Sequence, residues 1–280
     1  ILNEIHLLEK RGFKEVTLLG QNVDSYLWYG GGLKKDYSKA SLLQKKTSLR
    51  FNNLLEIIAK EKPKMRIRFS TSNPQDMSDE VIEVISKYPN ICKHIHLPVQ
   101  SGSNKILKKM NRQHTREEYL QLITKIKNKI PDCSISHDII TGFPSENNED
   151  HLDTLNLMES VKYEYGYMFK YSERPGTLAQ KKFIDNVPME IKNIRLNEII
   201  FKQKNHSYYR NQRYLNKIVC VLIEKESKKS DEFWSGRTTQ NTVVVFPKKN
   251  FSLGDFVDVR IENCTNATLI GNGLRISKDI

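Results

Sequence analysis

SISHDIITGFPSENNEDHLDTLNLMESV, Ser134 to Val161, contains one complete structural repeat. Ser134 to Ile140 reads as a strand. Thr141-Gly142-Phe143-Pro144-Ser145-Glu146 is a polar turn bearing a glycine. Asn147 stands where a helix cap belongs, because its side chain can accept from the free amides of a first turn. Asn147 to Val161 then reads as a helix. Strand, polar turn and helix together make one βα unit.

Outward from this unit the pattern recurs. Tyr165 to Phe169 is a further strand on the C-terminal side. On the N-terminal side Thr115 and Glu118 form a capping box for a helix reaching about Ile130, and Asn104 to Met110 is a short helix. Ile95 to Val99 and Met65 to Phe69 read as strands, the latter with Arg66 and Arg68 alternating with apolar residues. Ser78 to Lys87 and Phe51 to Glu61 read as helices, with Leu54, Leu55 and Ile58 of the second turned inward. Val16 to Leu19 is a short buried strand. Ile1 to Gly12 is a helix with Ile1, Ile5 and Leu8 on one face. Asp24 to Arg50, rich in Gly, Lys and Ser and without periodicity, is predicted to be a long loop. Repeated units of this kind imply a parallel sheet or an α/β barrel. A chain opening on a helix is expected to have a strand before it, which would give six βα units.

The character changes after Pro188. Pro188 to Arg210 is predicted to be a long polar connector helix. Lys217 to Ile223, Thr242 to Phe246 and Phe256 to Ile261 are Val- and Ile-rich strands, separated by breakers that include Gly236, Gly254 and Gly271. A small all-β domain is expected there, closed as a barrel. The chain thus divides into residues 1–186, a connector over 187–210, and a β-domain over 211–275.

Composition narrows the class. The 280 residues carry 45 basic and 33 acidic side chains, a net charge of +12. The surplus is spread along the chain and suits a polyanion such as RNA. No apolar run approaches the ~18 residues that a membrane span needs. Cys92, Cys133, Cys220 and Cys264 include no close pair of the kind that ligates zinc or a cluster. They read as buried free thiols of a cytosolic protein.

Four polar segments follow predicted strands: Gly20-Gln21-Asn22, Ser70-Thr71-Ser72-Asn73-Pro74, Gln100-Ser101-Gly102-Ser103 and Thr141 to Glu146. In parallel α/β folds ligands bind at the carboxyl ends of the strands. Together these segments are expected to ring one pocket, with backbone amides for a carboxylate or phosphate and side chains for a ribose. Arg66, Arg68 and Arg112 are either anion binders or structural ion pairs. His94 and His96 share a strand face and read as structural. Tyr163, Tyr165, Tyr167 and Tyr171 read as packing residues, one of which can stack on a base.

The strings LLGQNVDSY, RFSTSNPQDMSDEVI, HIHLPVQSGSNKILKKMNR, DIITGFPSENNEDH and YMFKYSERPGTLA, spanning Leu18 to Ala179, resemble the methylthiotransferase family of radical S-adenosylmethionine (SAM) enzymes. The tail from about Asn211 to Leu274 resembles the TRAM domain, a small RNA-binding β-barrel. GQNVDSY and KYSERPGT are most similar to the branch that acts on isopentenylated adenosine in tRNA. The branches acting on threonylcarbamoyl-adenosine or on a ribosomal protein stand as alternatives, as does a non-catalytic RNA-binding module.

The resemblance implies a partial (βα)6 barrel lacking its first strand, SAM and two 4Fe-4S clusters as cofactors, and methylthiolation of carbon 2 of N6-isopentenyladenosine beside the anticodon. It also implies that the chain is the C-terminal part of its parent. The CxxxCxxC loop and the auxiliary-cluster cysteines are absent, so the chain alone is expected to be inactive and to supply no metal ligands. By the same resemblance Gly20, Gln21 and Asn22 hold the methionine amino group of SAM, and Ser72 lies in the neighbouring turn. Gln100, Ser101 and Ser103 lie near the ribose and carboxylate, and Gly142 and Glu146 near the adenine. In the β-domain Lys217, Lys228, Lys229, Arg237, Lys248, Lys249 and Arg275 are expected to grip phosphates, with Phe233 and Trp234 stacking on bases. The partner implied is tRNA, met by a cytoplasmic monomer with no membrane association.

Overall fold

The computed structural model describes residues 1–70 and 72–278. Its first part runs α1 (Leu2–Lys10), β1 (Glu15–Leu19), β2 (Leu27–Trp28), α2 (Leu42–Lys46), β3 (Leu49–Arg50), α3 (Phe51–Glu61), β4 (Arg66–Ser70) and α4 (Asp79–Lys87). It continues β5 (His94–His96), α5 (Asn104–Lys109), α6 (Arg116–Lys129), β6 (Ser134–Thr141), α7 (Asn148–Val161), β7 (Tyr165–Lys170), α8 (Leu178–Lys182) and α9 (Met189–Gln212). The second part is β8 (Ile218–Ser227), β9 (Ser230–Arg237), β10 (Val243–Pro247), β11 (Phe256–Cys264) and β12 (Leu269–Ile276).

The parallel strands stand side by side in chain order. β1 pairs with β4, and β5, β6 and β7 form a second sheet. The two sheets meet through Ile67, whose amide donates to Asn90 O at 2.8 Å and whose carbonyl accepts from Cys92 N at 2.8 Å. Strand alternation separates the two faces. Ile67, Phe69, Ile135 and Ile139 belong to one apolar cluster with Leu55 and Ile58 of α3, Ile85 of α4, Ile126 of α6 and Leu157 of α7. The other face is polar: Glu15 is the register partner of Arg66, Thr17 of Arg68, Ser136 of Tyr165 and Asp138 of Tyr167. Local capping agrees with the sequence. Thr115 and Glu118 make a reciprocal box at α6, and Asn147 accepts from Asp150 N at 2.9 Å.

Several expectations need correction. The stretch from Asp24 to Arg50 is not a structureless loop: it contains two 3-10 turns, α2 and the antiparallel ribbon β2–β3. Short apolar anchors such as Tyr29, which is buried, hold it down without helical periodicity. The strand expected over 95–99 is shorter, because after His96 the backbone turns toward Gln100, whose φ is +71°. α9 is not a free connector. Lys192, Arg195, Ile199, Gln203, His206, Ser207 and Asn211 are buried along its length, most of them polar, which hides an inner face from a hydrophobic count. The β-domain has two strands more than expected, β9 and β12, which lack long apolar runs.

The five strands β8–β12 close into a barrel in the order β10-β12-β11-β8-β9 around Val221, Ile223, Val244, Phe246, Val257, Val259, Ile261 and Leu269. Closure depends on Gly236, where an added Cβ would lie 2.1 Å from Leu222 O. The barrel also docks on the sheet. Arg66, fully buried, donates to Arg237 O at 2.9 Å and lies over the Phe256 ring at 4.8 Å. Arg68 pairs with both Glu15 oxygens at 3.0 Å and donates to Thr238 O at 3.2 Å. The turn after β9 therefore sits against the polar face of the sheet. Of the two readings open for these arginines, the geometry shows structural pairing: Arg68 binds Glu15, and both arginines donate to backbone carbonyls of the barrel, while Arg66 Nε and Arg68 Nη1 are buried without a partner.

Candidate functional site at the carboxyl edge and on the terminal barrel

The polar turns lie next to one another at the carboxyl edge of the parallel strands. After β1, Gly20 and Gln21 are exposed and Asn22 is half-buried. The Asn22 amide donates to Asp76, and its Oδ1 is buried without a partner. Ser72 follows β4; its hydroxyl donates to Asp24 Oδ1 at 3.1 Å and its amide to His96 O at 3.2 Å. It thereby ties the first turn to the third strand of the series. Thr71, in the same segment, lies outside the described residues.

After β5, the Gln100 amide donates to Asp138 O at 2.8 Å and its carbonyl accepts from Ile140 N at 2.9 Å. That left-handed residue belongs to β6 as much as to its own strand. Ser101 is fully buried against Thr154, while Ser103 caps α5 and donates to Asp150 Oδ1 at 2.7 Å. After β6, Gly142 adopts φ +70° and presses on Lys192, whose Cγ would lie 2.4 Å from an added Cβ. Its amide donates to Glu146 Oε1 at 2.9 Å, and the same oxygen accepts from Arg195 of α9 at 2.9 Å.

The residues fall into two kinds. Gly20, Gln21, Asn22 and Gln100 present backbone or side chain along the edge. Ser72, Ser101, Ser103 and Glu146 spend their side chains on Asp24, Thr154, Asp150 and Arg195, so they fix the shape of the turns. The Glu146–Arg195 pair is buried on both sides, 3% and 6% exposed, where loss of one partner would strand a charge.

One acidic group escaped the sequence reading. Asp24 is buried; desolvation, ahead of the opposing bond from Ser72, pushes its carboxyl up to about 7, and its Oδ2 has no partner. Nothing in the string VDSY marks it, because its burial comes from the folding of the long segment that follows.

Among the described residues no group of three or more His, Cys, Asp or Glu is arranged to hold a metal ion. Cys92, Cys133 and Cys264 are buried and Cys220 is half-buried. Burial pushes the Cys92 thiol up to about 11, away from the thiolate a cluster binds. These residues do not fit an iron–sulfur cluster.

On the terminal barrel the candidate RNA residues separate by strand face. Lys228, Lys229, Phe233 and Arg237 line an outer groove of about 500 Å3, floored by Val243, Val245 and Ile270 and joined by Lys225. Trp234 points the other way: its indole N–H donates to Phe251 O at 3.0 Å and Lys248 covers its ring at 4.7 Å. Lys249 donates to Gly273 O at 3.0 Å and Arg275 to Asp258 at 2.9 Å. Lys217 is exposed at the start of β8. These five residues are not among those lining the groove.

Comparison with known proteins accords with this geometry. The profile of the Radical SAM superfamily matches residues 1–158, and that of the TRAM domain matches residues 212–273. The chain is similar to the tRNA-2-methylthio-N(6)-dimethylallyladenosine synthase of Christiangramia forsetii, 60% identical over 99% of this chain and 58% of that protein. The proteins of the same name from Karelsulcia muelleri and Bacteroides fragilis are 59% and 51% identical, each over 97% of this chain and over 60% and 56% of their own lengths. The chain thus spans less than two thirds of these relatives. With a profile match over more than half its length and a parallel sheet whose polar turns share one edge, the chain belongs to the radical SAM superfamily and carries a TRAM domain.

Proposed function

We propose that the chain supplies the SAM-binding sheet and the RNA-gripping barrel of a tRNA methylthiotransferase, acting on carbon 2 of N6-isopentenyladenosine beside the anticodon. The observation that carries the proposal is the identity of 60% across 99% of the chain to a protein named for that product. The parallel strands with their helices on one face are consistent with a partial (βα)6 barrel.

SAM fits the carboxyl edge by its chemistry. The unpartnered Asn22 Oδ1 and the exposed Gly20-Gln21 turn offer acceptors to an ammonium, and the Gln100 to Ser103 turn offers polar groups to a ribose. Gly142 and Glu146 close the end nearest the adenine. SAM would supply the methyl group and, given an electron from a reduced 4Fe-4S cluster, the radical chemistry. The chain's own residues bind, orient and screen. Ser72, Ser101, Ser103 and Glu146 hold the turns in a single shape, which lowers the ordering cost of binding. A 4Fe-4S cluster is a superfamily cofactor, and its ligands are not among the described residues.

The barrel groove supports the partner. Four cations around Phe233 and an apolar floor suit a single-stranded loop whose bases stack while its phosphates are neutralised. The test is nucleoside analysis of tRNA from a strain deleted for the gene. Loss of 2-methylthio-N6-isopentenyladenosine with accumulation of N6-isopentenyladenosine is expected. An unchanged methylthio nucleoside would refute the assignment.

A further inference from the structure

The polar face of the sheet carries a hydrogen-bonded chain that begins in the terminal barrel. Asn241, in the turn between β9 and β10, donates its amide to the Tyr165 hydroxyl at 2.7 Å. Tyr165 lies 2.9 Å from His94 Nε2, and that nitrogen lies 3.0 Å from Ser136 Oγ. Ser136 in turn lies 2.9 Å from His96 Nδ1, and His96 Nε2 is 3.4 Å from Asp138 Oδ1. Ser136 has one proton to give. If it donates to His96 Nδ1, its oxygen accepts from the His94 Nε2 proton, which is shared with the Tyr165 oxygen, and His96 carries its own proton on Nε2, facing Asp138. Full burial keeps His94 neutral, as this order requires.

The far end of the chain is open. The Asp138 side chain is 27% exposed, and its backbone carbonyl binds Gln100, so it stands at the level of the candidate site. Tyr167, 55% exposed, meets the His96 ring edge-to-face at 5.9 Å. An acceptor beside an open aromatic face suits the amino edge of an adenine ring.

We propose that Asn241 and Tyr165 are positioning residues: through His94 and Ser136 they set the orientation of a His96–Asp138 pair that receives an adenine edge. The terminal barrel then shapes the site on the sheet as well as gripping RNA. The adenine belongs either to SAM or to the substrate nucleoside, and the identification rests on the function proposed above.

The test uses the whole chain with Tyr165→Phe, which removes one hydroxyl, and Asn241→Gly, which tolerates the φ of +66° at that position. Lys129→Ala on the exposed flank of α6 is the control. Imidazole nitrogen NMR reads the relay without any ligand. His96 resonances are expected to shift in both relay variants, although His96 touches neither residue, and to stay unmoved in Lys129→Ala. Binding is read with S-adenosylhomocysteine and with an anticodon stem-loop RNA carrying N6-isopentenyladenosine. One of the two should weaken five- to tenfold in either variant, with the double variant no worse than the weaker single. Loss confined to S-adenosylhomocysteine assigns the pair to the cofactor; loss confined to the RNA assigns it to the substrate base. Unmoved His96 signals, or both probes within twofold of the unaltered chain, would overturn the proposal. Shifted signals in a chain that binds neither probe would leave the relay standing and remove the methylthiotransferase reading.

Discussion

The terminal barrel and the parallel sheet solve the same problem differently. In the barrel every strand has two partners, so no backbone edge is left open, and the apolar side chains of all five strands meet inside. The sheet keeps one face apolar under its helices and leaves the other polar. β1 pairs on one side with β4, and its other edge borders a groove lined by Ile5, Leu8 and Phe13. The polar face is covered at its deeper end by a turn of the barrel and open at the carboxyl edge. The contrast shows where stability and where chemistry reside. The closed unit holds itself together, while the open unit borrows part of its closure from its neighbour and keeps its polar groups available.

Breaking the barrel tests that dependence most severely. Gly236→Val places a side chain where Leu222 O already stands, and the barrel should fail to close, a loss of more than about 3 kcal/mol. Because Arg66 and Arg68 dock on carbonyls next to that glycine, the melt of the sheet should fall with it in scanning calorimetry. An unchanged sheet transition would show that the two regions are independent.

Arg195→Met probes the sheet's own rigidity. It leaves Glu146 buried without its cation, and urea unfolding should register a loss of about 3–5 kcal/mol. The exposed pair Lys129–Glu83 offers the contrast, with less than about 1 kcal/mol expected on removal of either partner.

Asp24 gives the sheet a pH response. Its folded carboxyl titrates at about 7, above the ordinary value near 3.9, so the folded state holds the extra proton between these limits. The contribution to stability is full below about pH 4 and falls away as pH rises through 7, by about 4 kcal/mol at most. Asp24→Asn should flatten the denaturation midpoint across that window and leave the chain more stable at pH 8. A slope equal to that of the unaltered chain would contradict the burial argument.

Lys228→Ala or Lys229→Ala is the mildest perturbation. Each should leave the fold intact and lower the slope of log affinity against log salt for single-stranded RNA by about 0.7. The same change at Arg275, which is paired with Asp258, should alter the slope less.

The sequence made the strand–turn–helix order legible because each unit carries its own punctuation: Thr115 and Glu118, Asn147 and Gly142 mark their positions without help from the rest of the chain. The long segment after Asp24 and the inner face of α9 were not legible. The burial of α9 rests on polar residues: Lys192 pairs with Asp185 in the segment before the helix, Arg195 with Glu146 in the turn after β6, and Gln203 with His137 on β6. The candidate site divides the same way. Glycine-bearing turns announce themselves, whereas Asp24, Asp138 and Asn241 gain meaning from tertiary neighbours that no local pattern encodes. Trp234 teaches the converse, since an aromatic residue beside candidate RNA-binding residues packs against the barrel core.

Hydrogen exchange with each ligand in turn tests the division of labour between the two regions most directly. S-adenosylhomocysteine should protect amides in residues 20–22, 100–103 and 142–146, and a stem-loop RNA should protect residues 225–237 of the barrel. Protection of the barrel by S-adenosylhomocysteine, or none at the carboxyl edge at saturating ligand, would contradict the assignment of the cofactor to the sheet.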